Sequence, residues 1–280
     1  MLKFSRALAV LAVAAGMAAG SGAAYAGPFI LAGTDADDHG SASGGANIDG
    51  WLFMQRSIEN LAPGTTNGNK VVVSLGGLST ALAAKQSAFS LSGLVSQGWT
   101  FQALNGAAAI NGFFANTGAV TTANSGIIML DSSATNVAGG LDSSEEGALT
   151  ANATQLNGFL GGGGGLFSQA NSYGFLSALV PGLTAPEEFE QGIALTAAGN
   201  AAFPGLTNAD LSAGPYHNQF ANIGSIPVLG TSTVTRNPII IGASGGSITD
   251  PGTSTPVPEP ASMLLLASGL LGAGLMRRKT

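Results

Sequence analysis

The most polar stretch in the body of the chain, Gly33-Thr-Asp-Ala-Asp-Asp-His-Gly40, gathers Asp35, Asp37, Asp38 and His39 within a few residues. Carboxylates at such spacing can hold a hard divalent cation through oxygen, which makes Asp35, Asp37 and Asp38 candidate metal ligands with His39 beside them. Asp35-x-Asp37-x-His39-Gly40 imitates the opening of a calcium loop, but the twelfth position is Ala46, where a bidentate glutamate is required. A solvated, aspartate-rich turn is the alternative reading. His39 and His217 are the two histidines of the sequence, so a proton shuttle built on imidazole must use one of them. If the fold brings the late loops beside the first, Asp35, His39 and His217 form a candidate catalytic crevice of the kind an extracellular hydrolase or sugar-active enzyme needs.

Other runs lack part of the pattern their chemistry requires. Gly242-Ala-Ser244-Gly-Gly246 has the spacing of a nucleophile elbow and follows an apolar run, yet neither a helix pattern nor a histidine follows it. The glycines from Gly161 to Gly165 precede no Gly-Lys-Ser/Thr and close a helical pattern, whereas a phosphate site opens one. Gly76-Gly77, after an apolar run, is a better-placed anion loop but consists of two glycines alone. The sequence has no cysteine, which removes a thiolate nucleophile, a thiolate zinc site and an iron–sulfur cluster.

The elements that must position these residues alternate in type. Pro28-Phe-Ile-Leu-Ala-Gly33, Val71-Val-Val-Ser-Leu75, Trp99-Thr-Phe-Gln-Ala103 and Gly126-Ile-Ile-Met-Leu-Asp131 read as strands covered on both faces. Helices are expected between them over Asp49 to Leu61, with Asp49 as cap, and over Leu78 to Phe89 and Gly106 to Asn116. Asp142-Ser-Ser-Glu145 reads as a capping box; Leu149, Leu156, Phe159 and Leu160 give an inward face, and the glycine run leads into Leu166-Phe167. Gly192 to Thr196, Ile226 to Leu229 and Ile239 to Ile241 are further strands, the last two as an antiparallel pair at an edge. The expected fold is a three-layer α/β domain over 27–250, with a mostly parallel sheet and helices on both faces. Forty-three glycines also invite a β-helix or low-complexity adhesin, but they gather at turns without a period.

Both ends of the sequence read as targeting segments. Lys3 and Arg6 precede an apolar run, and Ala24-Tyr25-Ala26 is a small-x-small cleavage site, so 1–26 is expected to be a signal peptide. After a linker over 251–257, Pro258-Glu259-Pro260 precedes the apolar run Ala261 to Met276 and then Arg277, Arg278 and Lys279. As a helix that run spans about 24 Å, against a hydrocarbon core of about 30 Å, so it is a short membrane-seeking segment with its cations on the cytoplasmic side. Without the two end segments, nine basic residues fall to four and 15 acidic residues to 14, a net charge of −10. Such a body repels nucleic acid and anionic lipid surfaces.

The tail over 258–280 closely resembles the PEP-CTERM sorting signal: Pro258-Glu259-Pro260, apolar helix and basic cluster occur in that order. The resemblance implies recognition and cleavage by exosortase, a membrane transpeptidase of Gram-negative bacteria that make exopolysaccharide. It also implies release or attachment at the cell surface or in extracellular matrix, with exopolysaccharide or envelope components as partners. Ile30-Leu-Ala-Gly33-Thr-Asp35, the helix into Gly-Gly-Gly-Leu-Phe, and Asp210-Leu-Ser with Tyr216-His217-Asn218 also resemble, diffusely, the flavodoxin-like glutamine-amidotransferase-like superfamily. The catalytic cysteine of that superfamily has no counterpart here, so its chemistry carries over to no residue. The leading expectation is a noncatalytic binding or structural protein, and the alternative is the hydrolase or metal-dependent binding domain at Asp35, Asp37, His39 and His217.

Overall fold

The apolar runs of the sequence become the middle of a large sheet. The computed structural model describes residues 28–169 and 174–242. The segments 1–26, 251–257 and 258–280 and the serine of the elbow-like run, Ser244, lie outside the described residues. In chain order the elements are β1 (Phe29–Ala32), β2 (Gly40–Ser43), β3 (Ala46–Asp49), α1 (Gly50–Leu61), β4 (Val71–Leu75), α2 (Ser79–Ser90), β5 (Thr100–Leu104), α3 (Ala107–Phe114) and β6 (Ile127–Leu130). There follow α4 (Ser143–Ala151), α5 (Ala153–Gly161), β7 (Gly165–Ser168), α6 (Leu176–Leu179), β8 (Glu187–Gln191), β9 (Ile193–Leu195), α7 (Ala197–Ala202), β10 (Pro215–Asn218), β11 (Val228–Ser232) and β12 (Pro238–Gly242).

The eight-stranded sheet has the order β5-β4-β6-β7-β1-β12-β11-β9. From β5 to β1 every pairing is parallel, and the ladders joining β1 to β12, β12 to β11 and β11 to β9 are antiparallel. Side chains alternate between the two faces. Phe29, Leu31, Val73, Ile128 and Leu130 pack with Ile110 and Phe113 of α3, Leu149 of α4 and Leu156 of α5. Ile30, Ala32, Val72, Ile127 and Met129 pack on the other face with Phe53, Met54 and Ile58 of α1 and Ala84 and Ala88 of α2. The chain is therefore α/β, with a mostly parallel sheet flanked by helices.

Several expectations shift. In a flavodoxin order, 2-1-3-4-5, β1 would stand between β4 and β5. Instead β4 stands between β5 and β6, and β1 lies beyond β7. The hairpin β2–β3 and helix α1 carry the chain across the sheet from β1 to β4, which places the first strand last in the parallel set. The hairpin turns at Gly44 and Gly45, both with positive φ as a two-residue hairpin requires. Asp49 is paired to Gly40 at the end of that hairpin, with φ 55°, and makes no side-chain cap for α1. The helix expected after Asp142 is broken at Asn152 into α4 and α5, while the capping box at its start is formed in full. β12 lies beside β1 inside the sheet, so the edge on that side is β9.

Candidate functional site

Loops leaving the carboxyl ends of the parallel strands converge on one edge of the sheet, where ligands of open α/β folds bind. β1 ends at Ala32, and Gly33 then makes an unusually close approach to β10. Its carbonyl accepts bonds from the N–H groups of His217, at 2.7 Å, and Asn218, at 3.1 Å. A Cβ on Gly33 would overlap the Asn218 carbonyl, so only glycine allows this contact. Thr34 bridges to Tyr216, which is fully buried and bonded through its hydroxyl to Ser232. By this route β10 delivers His217 to the loop after β1.

Asp35 is the centre of the resulting cluster, and it is 3% exposed. His217 Nε2 lies 2.9 Å from Asp35 Oδ2, and His39 Nε2 lies 3.4 Å from the same oxygen and 3.8 Å from Asp38 Oδ2. The turn is fixed by its backbone: the N–H groups of Asp38 and His39 both donate to the Asp35 carbonyl, and Gly50 N–H donates to the His39 carbonyl. The His39 ring lies against Gly214, where a Cβ would overlap it. Gln169, buried at the end of β7, accepts a bond from Ala36 N–H at 2.9 Å and holds the loop from the other side. A small recess opens here, lined by residues that include Thr34, Asp35, His39, Leu211 and Pro215. A larger cleft lies at Arg56 and Glu59, whose charges are spent on each other at 2.6 Å.

Asp37 does not join its neighbours. It is fully buried, and its carboxylate accepts bonds from Ser132 N–H at 2.9 Å and Ser132 hydroxyl at 2.8 Å. Burial pushes its pKa up to about 6, with the Ser132 bonds pulling the other way and Asp35 adding repulsion. The candidate metal set becomes Asp35, Asp38 and His39.

A second, buried cluster occupies the switch point between β4 and β6, where the chain first builds outward to β5 and then crosses back. Lys85 of α2 and Asp131, just after β6, are both fully buried and paired at 2.5 Å. Lys85 also donates to the Gly76 carbonyl at 3.0 Å. Gly76-Gly77, read above as an anion loop, therefore has a carbonyl on the lysine and packs against Asp131 and Glu145. Glu145 in turn accepts bonds from Gly106 N–H and Asn105 and completes the box at Asp142. Sequence reasoning missed Lys85, Asp131, Ser132 and Gln169. The available signals were a lone cation within the alanine-rich Leu82-Ala-Ala-Lys85, and a polar residue closing a buried strand in Ile127-Ile-Met-Leu-Asp131.

Comparison with known families matches residues 256–279 to the PEP-CTERM protein-sorting motif. The match takes in Pro258, Glu259, Pro260, Arg277, Arg278 and Lys279, and it indicates an exported protein that exosortase processes at the membrane. No curated protein and no solved structure matches the chain, so the likeness to glutamine-amidotransferase-like proteins gains no support. Among the described residues no helix is long and apolar enough to cross a membrane.

Proposed function

We propose that the chain is a noncatalytic binding component of the cell surface or extracellular matrix, with its ligand seated at the Asp35 recess once exosortase has removed the tail. The observation that carries this reading is the convergence of two imidazoles, from opposite ends of the domain, on one nearly buried carboxylate at the carboxyl edge of the sheet. His217 gives Nε2 to Asp35, and its Nδ1 is buried without a partner. Phe189, 66% exposed on β8, stands edge-on to His217 at 5.5 Å. The recess itself sets apolar Ile193, Leu211 and Pro215 beside the polar Asp35 and His39, and an apolar wall next to a few fixed polar groups suits a ligand with an apolar face and hydroxyls, which favours a sugar ring and hence exopolysaccharide.

The test is binding of the full chain to isolated exopolysaccharide, followed by co-sedimentation. Replacing both His39 and His217 with alanine is expected to weaken binding at least about tenfold, the scale of one lost hydrogen bond to a charged group, with the circular-dichroism spectrum unchanged. Equal binding by the double variant sinks the reading. One observation favours a hydrolytic role: His39 lies 3.4 Å from Asp35 Oδ2 with 30% of its side chain exposed, so it is the imidazole of the pair within reach of a water. Shortening of the polymer by the parent chain and not by the double variant would replace binding with hydrolysis.

A further inference from the structure

We propose that Asp35, Asp38 and His39 bind one divalent transition-metal ion of the zinc class, and that His217 is the positioning residue for Asp35. The inference rests on the reading of this recess as the binding site, and it names what holds the ligand there. One ligand atom from each of the three residues lies within 4.8 Å of the others. With metal–ligand bonds of about 2.0–2.1 Å, the edges of a tetrahedral site are roughly 3.3 Å long. The 3.4 Å and 3.8 Å separations from His39 Nε2 to the two carboxylates are close to that length, so closure needs only small side-chain rotation.

The chemistry of the donors selects the ion. An imidazole among two carboxylates suits zinc or its neighbours and is a poor set for calcium or magnesium, which take all-oxygen shells. Two carboxylates this close repel each other, and a dication between them removes the repulsion. The ligands sit at positions i, i+3 and i+4 of one turn whose backbone bonds are already made, and Trp51 Nε1–H holds the Asp37 carbonyl at 3.0 Å, so ordering the site requires little rearrangement. His217, with Nε2 at 2.9 Å, fixes one oxygen of Asp35 from outside the ligand set, as partners of metal-bound carboxylates do. Asp38 and His39 are partly exposed, at 39% and 30% of their side chains, so the ion is open to solvent, and Asp35 and His39 also line the recess. Three protein ligands leave a coordination position for an oxygen of the bound molecule.

The experiment uses the full chain, purified in mild detergent, stripped with chelator and titrated with zinc chloride alone. Elemental analysis after dialysis is expected to give one zinc per chain, and cobalt in its place should give the visible absorption of a tetrahedral site. His39→Gln and Asp38→Asn, both at partly exposed positions, are each expected to lower zinc affinity by more than about 100-fold, since outer partners alone account for 10–100-fold. His217→Gln is expected to lie within that 10–100-fold range. A chain that binds no zinc, or that binds it equally after His39→Gln and Asp38→Asn, overturns the site. Unchanged affinity in His217→Gln overturns the positioning role. Absence of zinc with histidine-dependent polysaccharide binding removes the metal alone; zinc binding with polysaccharide binding indifferent to the histidines removes the binding reading alone.

Discussion

Replacing Lys85 with methionine is expected to cost about 3–5 kcal/mol of folding stability, the range for breaking a buried ion pair from one side. Both partners are fully buried, and the lysine also satisfies the Gly76 carbonyl. Once the cation is gone, Asp131 remains in the interior with Asp37 and Glu145 as its nearest charges, both repulsive. Its Oδ1 has no partner even in the intact protein, so nothing nearby takes over. Methionine fills the space of the lysine stem, which keeps the loss from being a cavity effect. Replacing both residues, Lys85→Met with Asp131→Leu, is expected to recover most of the stability, because an apolar pair of similar volume replaces a pair whose desolvation nearly cancels its attraction. Urea unfolding of the three proteins checks this. A single-variant loss below about 1 kcal/mol, the scale of an exposed pair, would show that the pair is not held in the interior as described.

The second large effect is a fall in stability as pH rises from about 4 to 7. Asp37 has its pKa pushed from the ordinary 3.8 to about 6, chiefly by burial. Between these values the folded chain holds protons that the unfolded chain has released, so stability is complete below the unfolded pKa and is lost as pH rises through the folded one. For Asp37 alone the shift corresponds to about 3 kcal/mol lost by pH 7. Asp142 acts in the opposite sense. Bonds from the Ser144 side chain and the Glu145 backbone lower its pKa, so its contribution is present above the unfolded value and disappears only in more acidic solution. Denaturation at pH 4.5 and 7.5 is expected to show the parent chain more stable at the lower value, with the difference reduced in Asp37→Asn. A parent chain that gains stability over this interval, with Asp37→Asn following it, would contradict the buried environment of Asp37.

What the sequence made legible follows from what the sheet does to its strands. Strands covered on both faces read as near-continuous apolar runs, and Phe29 to Ala32, Val71 to Leu75, broken only by the buried Ser74, and Ile127 to Leu130 stand out for that reason. The capping box at Asp142 is local chemistry, and local chemistry survives folding. Strand order is decided by crossovers instead, and no residue of β1 signals that it will lie beyond β7. The ribbon of β8 and β10 was hidden because Glu187-Glu-Phe-Glu-Gln191 has no apolar face to alternate. At the candidate site the residue types of Asp35, His39 and His217 were visible, but their meeting depends on the close approach of Gly33 to Asn218 across more than 180 residues of chain. Asp37 was grouped with its neighbours by proximity in sequence. Its carboxylate reaches inward to Ser132, which no spacing rule distinguishes from a turn facing solvent.

Intact-mass spectrometry of the protein recovered from the surface and medium of cells with working exosortase reads most directly whether the domain does its work outside the cytoplasmic membrane without its tail. The expected species begins after Ala26 and lacks Arg277, Arg278 and Lys279. Recovery of the external protein with those cations and Thr280 still attached would contradict it.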